Sequence, residues 1–242
     1  MAVTISDNEW LYDWWYSEYL EEFETYNEYT EGEWAQNIKV FDIRLSLALS
    51  SKISFDSNFR YTKTEKSRDV SRLTLMLSNQ WFCFEALLDV CKEHGYLANS
   101  RSKTTSISLE TLELLSQEFE FERAIDSFWN INRDLIRSNS KFRPDLQKFV
   151  AYLSEKASKG QKKSLLHVHN KFTNNDDFEV HDVLALAYAT RNQYVHAGDT
   201  PKSGVNFYTT KIAVLKNTHD FLVLLNVALS SLVLKQINAS TD

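Results

Sequence analysis

Arg191, Asn192 and His196 fall within about one and a half turns of one helical segment. These side-chain types can act on a phosphodiester. Arg carries a permanent planar cation whose N–H groups can pair with two phosphate oxygens. His exchanges a proton near neutral pH, as base or as acid. Asn can orient the imidazole or bind the phosphate. RNA cleavage without a metal uses such a set. The ribose 2′-hydroxyl gives up its proton and attacks its own phosphate, charge builds on the phosphorane, and the 5′-oxygen leaves with a proton. One chain supplies one such His; two copies meeting at these helix ends would supply two, one for each proton transfer.

The same residues also have a purely structural reading. Arg and His near a helix C-terminus complement the dipole and the last free carbonyls. Arg191, however, continues the apolar stripe of Val180, Val183, Leu184, Ala187 and Tyr188. A guanidinium on a buried stripe needs an anion or a partner helix. Asn192 and His196 are i and i+4, on one face a turn apart. A last turn loosened toward Gly198 would let the imidazole swing toward Arg191.

The elements that carry these residues read as helices. Among 242 residues only 5 are Gly and 2 are Pro, too few for a chain of tight turns. With 43% hydrophobic residues and 32 aromatics, the chain is long enough for a sizeable core. Periodicity predicts helices over 7–30 and 34–49, with Asp7 as an N-cap and Gly32 between them. Residues 50–65 lack helical periodicity and leave room for a short strand or hairpin. A long helix over 66–94 carries Val70, Leu73, Leu77, Trp81, Phe84, Leu88 and Cys91, with Gly95 beyond it. Ser108 caps one helix to about Arg137, and Pro144 opens the next, which ends near Lys159 and Gly160. A short helix over 161–170 follows. The motif helix runs from about Phe178, capped by Asp176 or Asp177, and residues 205–208 read as extended. The last helix spans about 210–237. Its apolar run, Phe221 to Leu234, is interrupted by Asn226, Ser230 and Ser231, so it reads as a core or interface helix rather than a membrane span. The expected organisation is an acidic, aromatic helical extension over 1–60 and a helical core over 66–238.

Charge is unevenly divided. Residues 1–38 hold ten acids, ten aromatics and no Lys or Arg. With those ten acids set aside, 27 bases face 23 acids, although the whole chain is −6. Lys141 to Lys171 contains eight bases against Asp145 and Glu155. Such a surface can attract a phosphate backbone, with Lys159, Lys162 and Lys163 as candidate substrate-binding residues, or it can simply be a solvated helix face. The acidic arm reads as a helix packed on the core, a partner-binding arm, or a cover over a basic groove. Cys83 and Cys91 read as buried reduced thiols. No basic segment followed by an apolar one opens the chain, so no secretory signal is expected and the chain reads as cytoplasmic. His167, His169 and His181 lack the companions of a metal set, and no phosphate loop or nucleophile elbow occurs, so neither a metal nor a cofactor is expected.

Arg191-Asn192 followed by His196-Ala197-Gly198 resembles the R-x4–6-H motif of the HEPN superfamily, a group of helical domains that includes ribonucleases. The resemblance extends over about 66–238. It implies an all-α, HEPN-like helical bundle that acts as a homodimeric, metal-independent endoribonuclease with a composite site, in toxin or antiviral-defence settings. Arg191 and His196 would be catalytic and Asn192 supportive, with a polar residue from an earlier helix, Glu85, as further support. RNA would be the substrate, and an antitoxin or regulatory protein a partner. Members silenced by nucleotidyltransferase antitoxins carry Tyr two residues after the His. Gly198 stands there, which argues against that form of regulation. The alternative is an inactive HEPN-like module acting through protein partners.

Overall fold

A computed structural model describes residues 9–29, 33–100 and 102–241. Among them the fold is all-α. The α-helices are α1 (Glu9–Tyr29), α2 (Glu33–Ser50), α3 (Glu65–Glu93), α4 (Leu109–Phe119), α5 (Glu122–Ser138), α6 (Phe142–Glu155), α7 (Lys159–Asn174), α8 (Val180–Ala197) and α9 (Tyr208–Thr241). Asp7 and Gly32, read as an N-cap and a helix stop, lie outside the described residues. The chain forms two compact units from discontinuous stretches. One comprises residues 1–51, 82–124 and 222–242; the other comprises 52–81 and 125–221.

In the first unit, α1 and α2 bury one face each, through Leu11, Trp15, Tyr19 and Tyr26, and through Ile38, Phe41 and Leu45. The buried positions recur at three- and four-residue steps, as an amphipathic helix requires. Tyr19 meets Phe41 edge-on at 6.0 Å and donates its hydroxyl to Asp42 at 2.8 Å. Trp15 packs against Phe119 and Phe121 at 6.3 and 5.6 Å. The end of α9 joins this unit: Ser231 Oγ donates to the Trp15 carbonyl at 3.1 Å, and Asn238 Nδ2 donates to the Glu22 carbonyl at 3.0 Å. Helix α1 thus shares a core with the end of α9, an association across 216 positions that local periodicity does not display.

In the second unit, α6, α7 and α8 pack on one another. Trp129, Phe172 and Phe178 form an aromatic cluster with ring separations of 4.6 to 6.1 Å. Trp81 lies against Tyr188 at 5.2 Å.

The structure corrects several boundaries. The single helix read from Ser108 to Arg137 is two. Glu120 takes a left-handed conformation (φ 50°) and closes α4, its N–H donating to the Ser116 carbonyl. The break lets Phe119 and Phe121, two positions apart, both reach the interior. Helix α6 ends at Glu155, and α7 starts at Lys159 with Gly160 inside its first turn; Ser158 caps it by accepting from Gln161 N. The motif helix starts at Val180, with Glu179 and Asp182 forming a reciprocal capping box in place of Asp176 or Asp177. Residues 205–208 are not a strand, and 50–65 contain only a 3-10 turn at Arg60–Thr62. Ser108 does cap α4, and Gly95 has the left-handed φ of +80° expected past α3. The last helix is long and apolar enough to cross a membrane by composition, and 83% of that window is buried inside the protein. Both cysteines are free and buried, and burial pushes the Cys83 thiol up to about 12.

Candidate active site

Helix α8 is buried over most of its length, through Leu184, Ala185, Leu186, Ala187 and Ala189, and its final turn emerges carrying the motif. Arg191 and Asn192 are half-buried and His196 is exposed. The full burial expected of Arg191 is not reached, because its guanidinium turns to the polar groups of its own turn. Arg191 Nη1 donates to Asn192 Oδ1 at 3.0 Å and lies 3.4 Å from His196 Nε2. The helix stays closed through Ala197, so the approach needs no loosened turn. A guanidinium can only donate, so a ring nitrogen facing it is the acceptor.

Gly198 terminates α8 at φ +67°, its N–H donating to the Gln193 carbonyl. A side chain here would be strained whatever the space around it. This is why the position two residues after the His holds glycine.

Three further residues hold the helix end. Gln193 is buried, and its Nε2 donates to the carbonyls of Tyr152 and Leu153 at 3.1 and 3.3 Å, tying α8 to the last turn of α6. Those carbonyls belong to the group a helix end leaves without intrahelical partners. Asp199 accepts from the Tyr152 hydroxyl at 3.0 Å and from Lys211 Nζ at both carboxylate oxygens. Lys211 Nζ also donates to the Thr200 and Ser203 carbonyls at 3.0 and 3.1 Å, and it lies 5.4 Å from the centre of the Phe149 ring. Its side chain is 0% exposed. Burial lowers its pKa, and Asp199 works against that shift. Burial, with Asp199 adding to it, pushes the Tyr152 phenol up to about 12. On the far side of the loop, the Asp145 carboxylate accepts from the backbone N–H groups of Asn206 and Phe207, where α9 begins.

A cavity of about 300 Å³ opens beside the motif. Leu153, Lys156 and Ala157 come from the end of α6 and the link after it, Gln161 from the first turn of α7, and Ala189, Asn192, Gln193, His196 and Ala197 from α8. Lys156 and Gln161 were not singled out from sequence. The chosen lysines, Lys159, Lys162 and Lys163, are exposed and do not line this cavity. Lys162 instead lines a second cavity, of about 400 Å³, with Glu155 and His169. Glu85 belongs to the other unit, where Lys103 Nζ binds its carboxylate at 2.8 Å. Among the described residues, no three His, Cys, Asp or Glu side chains group as a metal site.

Lys211 has a sequence signature. A lysine at the start of a strongly apolar helix must find an acid when buried, and Asp199 is the nearest acid before it in the chain. Comparisons with protein-family models, curated proteins and solved structures return no match for this chain.

Proposed function

We propose that the chain is a metal-independent endoribonuclease of HEPN type that cleaves RNA by attack of the 2′-hydroxyl. The observation that supports this reading most is the meeting of Arg191 Nη1, Asn192 Oδ1 and His196 Nε2 within 3.4 Å at an exposed helix end beside a cavity. In the reaction, His196 Nε2 takes the 2′-hydroxyl proton and O2′ bonds to phosphorus. Arg191 turns from the imidazole to the equatorial phosphate oxygens as their charge grows. The P–O5′ bond then breaks, and the leaving oxygen receives a proton from a second imidazole. One chain has one such His, so the complete site is a homodimer in which the second copy's motif supplies that acid. The products are a 2′,3′-cyclic phosphate and a 5′-hydroxyl. Asn192 restrains the guanidinium when substrate is absent.

An RNase whose active groups are assembled in the folded state needs restraint in its host. A toxin or antiviral-defence effector in the cytoplasm, held by an antitoxin or regulatory protein, fits that need. The second reading is an inactive module that binds partners. It is favoured by the acidic α1, which shows Trp10 at 51% exposure and stacks Tyr12 on Tyr16 at 5.4 Å. The test is RNA cleavage in EDTA by the wild type, Arg191→Ala and His196→Ala at matched folding. Activity confined to the wild type supports the enzyme. Equal activity in all three sinks it.

A further inference from the structure

We propose that this chain self-associates by docking the acidic outer face of α1 in one copy onto the basic outer face of α7 in a second copy. Neither face contributes a residue to the Arg191–His196 motif, so the contact stands whether or not the chain cleaves RNA.

Helix α7 buries Leu165, Val168 and Phe172 and turns Lys159, Lys162, Lys163 and Leu166 outward. Those four recur at three- and four-residue steps, so they share one face. Leu166 is 60% exposed, an apolar side chain among three cations. It also lines the cavity of about 400 Å³ between α6 and α7, together with Val150, Ala151 and Leu165. A phosphate backbone calls for cations alone, whereas a leucine beside an apolar groove calls for a hydrocarbon partner as well. The face therefore suits an acidic helix that carries an exposed leucine of its own.

Helix α1 has that chemistry. It buries Leu11, Trp15, Tyr19 and Tyr26 and turns Asp13, Ser17, Leu20, Glu21 and Glu24 outward. Leu20 is 42% exposed, and residues 1–38 contain no Lys or Arg. Within one chain both faces are open to solvent, and none of Glu21, Glu24, Lys159, Lys162 and Lys163 has a salt-bridge partner among the described residues.

Spacing and polarity select one orientation. Glu24 follows Leu20 by four residues, and Lys162 precedes Leu166 by four. An antiparallel pair with Leu20 on Leu166 therefore sets Glu24 level with Lys162. The helix dipoles favour the same direction. Helix α7 opens on Lys159 and Lys162 with no acid in its first turn, where the dipole favours an anion. Helix α1 has no base in its last turn, where the dipole favours a cation. Antiparallel docking brings each end the sign it lacks.

The experiment is sedimentation of four full-length proteins at about 50 mM and about 0.5 M salt, a range over which exposed charges become screened. They are the wild type, Glu21→Lys with Glu24→Lys, Lys159→Glu with Lys162→Glu, and the chain carrying all four reversals. The wild type is expected to self-associate at low salt with a Kd of roughly 1–100 µM, and less tightly at high salt. Each pair of reversals alone weakens the association at least about tenfold. The chain with all four returns to within about threefold of the wild type. Both pairs improve the match of each helix to its own dipole, so thermal midpoints at or above that of the wild type separate lost docking from lost folding. A wild type that stays monomeric throughout that concentration range, an association indifferent to either pair, or a loss that the four reversals together do not recover overturns the contact. So does a Lys159→Glu, Lys162→Glu chain that loses single-stranded RNA binding but keeps its self-association, which gives the α7 face to nucleic acid.

Discussion

Lys211 Nζ donates to both carboxylate oxygens of Asp199, at 3.1 and 2.9 Å, three residues beyond His196. The two side chains are 0% and 5% exposed, so neither charge can turn to water if its partner is removed. Lys211→Met leaves the Asp199 carboxylate buried against the Tyr152 hydroxyl alone. The expected loss is about 3–5 kcal/mol of unfolding free energy. By contrast, Arg137 and Asp134 stand 3.9 Å apart with both side chains mostly exposed, and Arg137→Met should cost less than about 1 kcal/mol. Urea denaturation of both variants checks the contrast. Equal small losses would mean that Lys211 is not the anchor of this loop.

Gly204 and Gly198 both have left-handed φ, at +75° and +67°, but their surroundings differ. A Cβ at Gly204 would stand 2.5 Å from Tyr152 Cδ1, whereas a Cβ at Gly198 meets nothing within 4 Å. Gly198→Ala should therefore carry backbone strain alone, about 1 kcal/mol. Gly204→Ala adds a clash with the ring whose hydroxyl holds Asp199, raising the loss by roughly 1–3 kcal/mol. Thermal melts of the two variants measure the difference, and a Gly198→Ala loss equal to or above that of Gly204→Ala contradicts the packing described here.

How much of this was legible before the structure differs from residue to residue. The all-helical character followed from periodicity and from scarce Gly and Pro. The placing of Arg191, Asn192 and His196 at one helix end followed from spacing, but the approach of Arg191 to His196, an i,i+5 pair, rests on side-chain directions that spacing does not give. Glu120 was not readable as a break: its left-handed conformation is imposed by the burial of Phe119 and Phe121 on either side, which local pattern cannot reveal. Lys156 and Gln161 were not separable from their neighbours either. They line the cavity because α7 begins at Lys159 and turns Gln161 toward α8, and the choice among five lysines over 156–171 depends on that start. The pairing of α1 with the end of α9 was out of reach for the same reason: it is a long-range event between an acidic, aromatic helix and an apolar one, neither of which names its partner.

Alkaline conditions should destabilise the protein before acid-sensitive groups matter in that range. Burial raises the Cys83 thiol from 9.0 to about 12. Burial, with nearby charges adding to it, raises the phenols of Tyr12 and Tyr152 from 10.0 to about 12. A folded-state pKa above the unfolded one means that the unfolded chain loses its proton first. Stability from these groups is fully present below about pH 9 and falls as pH rises through 12. Urea midpoints taken between pH 8 and 11 should decline from about pH 9 upward. The Cys83 and Cys91 thiols should resist alkylation at pH 8 until denaturant is added, and rapid native-state labelling would contradict their burial.

The claim that Arg191 and His196 form a phosphodiester-cleaving pair is tested most directly by the products of one reaction. Single-stranded RNA is incubated with the wild type or His196→Ala in EDTA, and the new ends are identified. The account expects 2′,3′-cyclic phosphate and 5′-hydroxyl ends from the wild type, and a rate lower by about 10²–10⁴-fold in the variant, the contribution of a positioned general base. Unchanged cleavage by His196→Ala, or no cleavage by the folded wild type, would contradict it.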